Sequence, residues 1–206
     1  MKTLRNVIII LGFYLLQQIP VTLMTLPPFG KGQNGLYLQL AVIILSMILI
    51  PLFMLGYYHR INHKYKNPFT KYTILIIIVA IVINVLINKF SLPYMQPTGN
   101  ANVDALSAIF KNFPVVMLFY SVIIGPITEE ILSRGLLMNM FFVNRPYVSL
   151  ILSSTIFGLM HGSNDPVYLI SKIALGFVLG FTYLKTKNIK ANIVVHIANN
   201  VSAFMI

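Results

Sequence analysis

Pro126-Ile127-Thr128-Glu129-Glu130-Ile131-Leu132-Ser133-Arg134 lies inside an apolar run that extends from Pro114 to Phe142. The chain of 206 residues has only four acidic residues, and two of them stand side by side here. A carboxylate at the centre of a membrane helix costs about 2.5–3.5 kcal/mol on insertion scales, so an adjacent pair marks a segment held for function. On a helix, Glu130 and Arg134 are four residues apart and share a face, in the favourable order with Glu nearer the N-terminus. Glu129 points about 100° away from Glu130, which leaves its carboxylate without a local partner. Pro126 cannot donate the helical hydrogen bond to Val122 and opens or kinks the helix one turn before the acids.

Outside this stretch the composition sets the solvent. Hydrophobic residues make up 57% of the chain, charged residues 9%, and the mean hydropathy is +0.82. A water-soluble domain cannot carry that surface, so the reading is an all-α, polytopic transmembrane bundle. A spanning helix needs about 20 residues, which leaves room for one membrane domain, 1–206, and no separate soluble one. The formal charge of +11 falls between apolar segments instead of forming a stripe, which argues for topology and lipid headgroups and against nucleic acid. The absence of cysteine excludes disulfides, thiolate metal sites and a cysteine nucleophile.

About seven membrane segments are expected. The first runs from about Val7 to Leu26, a retained helix and not a cleaved signal, and the second from Leu36 to Tyr57 with a kink at Pro51. The loop Tyr58 to Tyr72 carries Arg60, Lys64, Lys66 and Lys71 with His59 and His63, and the positive-inside rule makes it cytoplasmic. A β-branched third span, Thr73 to Asn88, must be helical because lipid offers its backbone no partners. An interfacial helix lies within Ser91 to Phe113, behind Asn102 and Asp104. The fourth span is Pro114 to Phe142, the fifth Tyr147 to His161, and the sixth Val167 to Leu184 with Gly176 and Gly180 spaced for close packing. The seventh, Ala191 to Ile206, is short and either begins earlier or stops within the membrane. Asp165 is expected to start a helix or turn. The basic residues of the connections place the N-terminus in the cytoplasm of a multi-pass cell-membrane protein.

Two histidines join the acids inside apolar segments, in Phe157-Gly158-Leu159-Met160-His161 and His196-Ile197-Ala198-Asn199-Asn200. His196 and Asn200 share a helix face and can address one carbonyl oxygen or one water. Glu129, His161, His196 and Asn200 suit activation of a water by a carboxylate, with imidazole and amide groups on an oxyanion. Glu129, His161 and His196 suit zinc ligation equally, and the residues leave the choice between zinc and no metal open. The bland reading is a buried ion cluster that fixes helix packing; it accounts for Glu130 and Arg134 and leaves Glu129 unexplained.

The ordered set E-E-x-x-x-R at 129–134, F-x-x-x-H at 157–161 and H-x-x-x-N at 196–200 resembles the CPBP family of intramembrane proteases. That family includes type II CAAX prenyl endopeptidases and bacterial bacteriocin-processing or self-immunity proteins. The resemblance covers 114–206, the expected catalytic core. It implies that Glu129 activates the attacking water, that Glu130 and Arg134 support it, and that His161 completes the site. His196 and Asn200 are implied to hold the oxyanion or the water, with Phe157 as structural support. The reading is a membrane-embedded endopeptidase acting on a membrane-associated peptide or protein. The alternatives are a non-catalytic immunity or peptide-secretion protein and, more weakly, an ion-coupled transporter.

Overall fold

The computed structural model describes residues 2–61, 67–96 and 101–203, with the side chains of 2 and 101–103 set aside. His63, Lys64 and Lys66 of the basic loop, and the side chain of Asn102, lie outside this set. Every regular element among the described residues is a helix. In chain order these are α1 (Lys2–Thr25), α2 (Gly32–Ile61), α3 (Lys71–Ser91) with a 3-10 turn (Leu92–Tyr94) after it, α4 (Ala101–Asn112), α5 (Pro114–Met140), α6 (Pro146–Leu159), α7 (Pro166–Thr186) and α8 (Ile189–Ala203).

By length and composition α1, α2, α3, α5 and α7 are long and apolar enough to cross a membrane. The two remaining expected segments, α6 and α8, have 14 and 15 described residues. At 1.5 Å per residue they fall short of a hydrocarbon core of about 30 Å. Both are sheltered: α6 packs most extensively on α7, and α8 lies against α3, α7 and α5. A cluster of Ile77, Ala80, Phe157, Leu175, Leu179, Ala191 and Val195 joins these helices.

Burial is inverted relative to a soluble protein. Leu45, Ile48, Leu49, Leu52 and Phe53 of α2 are exposed, as are Leu75, Ile78 and Val82 of α3, whereas Glu130, Arg134, Asn192 and His196 are buried. Apolar surface faces outward because the surroundings are lipid, and polar groups turn inward because only the protein can partner them.

Local chemistry sets the ends. Thr70 caps α3 by accepting from the Thr73 N–H at 3.2 Å. Asn188 Oδ1 accepts from the N–H groups of Lys190 and Ala191 at 3.0 and 3.4 Å, so α8 starts at Ile189, ahead of the expected Ala191. α2 runs unbroken through Pro51. In α5 the proline acts differently: π-helical turns at Tyr120–Ile124 and Ile131–Leu137 flank an α-helical segment, Gly125–Glu130, that carries both acids. The Gly125 N–H bonds Tyr120 O, five residues back. The helix accommodates the missing Pro126 donor by widening.

α6 and α7 approach closely at glycine. A Cβ on Gly176 would stand 3.0 Å from Ser154 O and 3.1 Å from the Phe157 ring, and one on Gly158 would stand 2.9 Å from Ile173 N. Asp165, before α7, is the helix start expected. Its Oδ1 accepts from Val167 N–H at 2.9 Å and Tyr168 N–H at 3.3 Å, and its Oδ2 from Gln96 N–H at 2.8 Å. Desolvation works against the charge, but these backbone donors outweigh it and hold the carboxyl below its ordinary pKa of 3.8.

Gly158→Val is expected to destabilise the bundle by about 1–3 kcal/mol through overpacking, read as a lower thermal midpoint in detergent. Gly12→Ala, at a helix position with open space around it, should keep that midpoint or raise it slightly. Because the folded-state pKa of Asp165 is lowered, its stabilisation is complete above 3.8 and is lost as pH falls through the lower folded value. Asp165→Asn should remove that part of the acid-induced loss in a pH series of thermal melts.

Candidate active site

Glu130 is the centre of the site. It is completely buried, and its Oε1 accepts from Arg134 Nη1 at 2.9 Å and from His196 Nδ1 at 2.9 Å. Its Oε2 accepts from Asn192 Nδ2 at 3.2 Å. Arg134, equally buried, donates through Nη2 to Gly176 O at 2.6 Å and lies over the Phe157 ring, 4.8 Å from its centroid. The carboxylate can only accept, so His196 Nδ1 carries the proton in that bond and Nε2 faces away from Glu130.

His196 Nε2 lies 3.7 Å from Glu129 Oε2. That gap is too wide for a direct hydrogen bond and suits one water donating a proton to each atom. Glu129 is 29% exposed and lines a cavity of about 680 Å³, whereas Glu130 is closed off from it. The angular separation read from the sequence thus divides the acids between the cavity and the interior. Gly125, one turn earlier, lies beside this carboxylate: a Cβ there would be in ordinary contact with Glu129 Oε1 at 3.6 Å.

The other candidates reach the same cavity from different helices. His161 lies in the turn after α6, with its N–H bonded to Gly158 O at 3.1 Å. Its Nδ1 is 2.9 Å from Phe157 O, and a carbonyl only accepts, so Nδ1 is the protonated nitrogen and Nε2 is left for a ligand. The Phe157 ring packs against both imidazoles, at 5.0 Å from His161 and 5.6 Å from His196. Asn200 lines the cavity wall and donates through Nδ2 to Ser121 O at 2.8 Å. That carbonyl is available because the Gly125 N–H goes to Tyr120 and Pro126 has none. His196 therefore stands level with both acids, with α5 wound by its π-turns and α8 begun early.

Asn192 and Lys172 also belong to the site and were not singled out in the sequence. Asn192 stands four residues before His196 on the same face and bonds both Glu130 and Leu179 O. Its spacing to His196 was a usable signal. Lys172, in the cavity wall, is the one charged residue within the expected sixth span, Val167 to Leu184.

Among the described residues no three His, Asp or Glu side chains are grouped as a metal ion would require. The donors Glu129, His161 and His196 therefore do not fit a metal centre in the arrangement seen.

Residues 111–202 match the model of the Rce1-like family of type II CAAX prenyl endopeptidases. The resemblance carried by the three motifs is borne out, and the match supports a membrane endopeptidase with a peptide or protein substrate. The membrane-embedded CAAX protease MroQ of Staphylococcus aureus (strain USA300) is 27% identical over 219 residues, covering 95% of this chain and 85% of MroQ. YdiL of Bacillus subtilis (strain 168) is 35% identical over 101 residues, 48% of this chain and 40% of YdiL. UPF0177 protein YvdC of Lactococcus lactis (strain IL1403) is 23% identical over 147 residues, 71% of this chain and 56% of YvdC. No solved structure matches.

Arg134→Met strands the Glu130 charge and is expected to cost about 3–5 kcal/mol. Adding Glu130→Gln to Arg134→Met should recover part of that loss, read as non-additive shifts in unfolding midpoints across the double-mutant cycle.

Proposed function

We propose that this protein is an intramembrane endopeptidase that hydrolyses a membrane-associated peptide or protein with Glu129 as general base. The observation that carries the reading is the division of labour between the acids. Glu130 is closed off among Arg134, Asn192 and His196, while Glu129 faces a cavity with one edge of His196 beside it. A packing cluster accounts for the first acid and not for the second.

Glu129 takes a proton from a water held between its Oε2 and His196 Nε2, and the water oxygen bonds to the scissile carbonyl carbon. The second amide hydrogen of Asn200 and the cavity-facing nitrogen of His161, when protonated, receive the developing oxyanion. As the carbon–nitrogen bond breaks, Glu129 returns the proton to the leaving amine and becomes a carboxylate again. Glu130 fixes the tautomer and direction of His196, Arg134 neutralises Glu130, and Phe157 holds the two imidazoles at their angle. These are positioning roles.

In this reading the catalytic core is 114–206 of a single membrane domain, walled on one side by Gln17, Gln18 and Val21 of α1. The basic residues of the connections support a cytoplasmic N-terminus.

Purified protein in detergent is expected to cleave a peptide library, read by mass spectrometry. Glu129→Gln should reduce cleavage by about 10²–10⁴-fold, the range for a general base, with its thermal midpoint preserved. Undiminished cleavage in that variant removes Glu129 from the mechanism. A wild-type protein that cleaves nothing, with a cellular phenotype unaffected by Glu129→Gln, points instead to a non-catalytic membrane protein.

A further inference from the structure

α7 turns Tyr168, Lys172 and Leu175 to the cavity, positions four and three residues apart on one helix face. Lys172 is the one lysine or arginine among the described residues of that wall. Its ammonium lies 4.9 Å from the centroid of the Tyr168 ring. Among the described residues it has no ion-pair partner: Glu130 pairs with Arg134 and His196, and Glu129 approaches His196.

A lysine on a lipid-facing surface can swing its amine to the headgroups. Lys172 is held away from that surface. One turn further along α7, Gly176 O accepts the 2.6 Å bond from Arg134, and Gly176 itself is pressed against Ser154 and Phe157. These contacts set the rotation of α7, and with it the face that carries Lys172. A peptide that fills the cavity displaces water from the ammonium. Unless the peptide brings an anion into contact, the charge is then buried with only the Glu129 carboxylate, beyond ion-pair distance in the same cavity, to offset it, and binding is penalised. The wall therefore discriminates against neutral ligands by the cost it imposes on them.

We propose that Lys172 is a specificity-determining residue of the Glu129 site, receiving a carboxylate carried by the bound peptide. That the bound peptide is a substrate rests on the endopeptidase reading; the carboxylate site itself does not. The carboxylate is either the C-terminal α-carboxylate or an Asp or Glu side chain. A peptide is favoured over a lipid headgroup because the same cavity presents His161 and Asn200, groups suited to peptide carbonyls.

The test uses the Glu129→Gln variant of the 206-residue chain in detergent, which is expected to retain peptides without cleaving them. It is incubated with one neutral-sequence peptide library made in three forms: C-terminal acid, C-terminal amide, and amide with one internal Glu or Asp. Retained peptides are quantified by mass spectrometry. A charge-assisted bond predicts at least about tenfold preference for a carboxylate-bearing form over the neutral amide. The preference should collapse in the Glu129→Gln, Lys172→Met double variant and persist with Lys172→Arg, at matched thermal midpoints. Which form is preferred identifies the source of the carboxylate. Equal retention of all three forms, retention of none, or a preference untouched by Lys172→Met overturns the proposal. Loss of co-purified phosphatidylglycerol in Lys172→Met, with no preference among the peptides, overturns it in favour of a headgroup. Lys172-dependent retention by a protein whose wild type cleaves nothing upholds the carboxylate site and removes the endopeptidase reading.

Discussion

Glu130 is completely buried and still functions as an acceptor for Arg134, Asn192 and His196, and the rest of the structure depends on that arrangement. A buried ion pair adds little net stability, because desolvation offsets most of its attraction, but leaving either charge unpaired is costly. Its value here is register. Arg134 passes the constraint to Gly176 of α7, Asn192 and His196 pass it to α8, and the Arg134 contact with Phe157 passes it to α6. Four helices are thus set in rotation about one carboxylate. The short helices α6 and α8 can hold side chains at the cavity because this interior clamp, and not a full membrane crossing, positions them.

A second constraint lies in the backbone. Pro126 has no N–H, and the π-helical turn before it leaves the Ser121 carbonyl without its helical partner. Asn200 of α8 bonds that carbonyl. The same defect that widens α5 next to the acids also anchors the far end of the H-x-x-x-N motif. The site is held from both ends of α8, by Glu130 at Asn192 and His196 and by Ser121 at Asn200.

Much of this was legible in the chain. The membrane character, the helical class, the approximate spans and the separate directions of Glu129 and Glu130 follow from hydropathy and from a period that operates within one helix. Gly176 and Gly180 announced a close approach, and Pro126 a local opening. Other features were less so. Gly158 reads as a spacer in F-x-x-x-H, yet it is where Ile173 seats. Lys172 reads as an ordinary lysine in a span until α7 is rotated against Arg134. Asn192 reads as one more polar residue near a helix start until Leu179 and Glu130 close on it.

The sequence by itself determined that this protein lives in a bilayer, that it is built of helices, and that two adjacent acids and two later histidines are placed inside its apolar segments. Those conclusions rest on local physics: transfer free energy sums along a segment, and side-chain direction repeats with the helical period. Only the tertiary structure decided which acid is sealed and which is open, that His196 bridges them, and that Lys172 shares their cavity. The contacts responsible join residues 66 positions apart, as between Glu130 and His196, or 42 apart, as between Arg134 and Gly176. Their geometry depends on how helices rotate and slide against one another, which no periodicity within a single helix encodes.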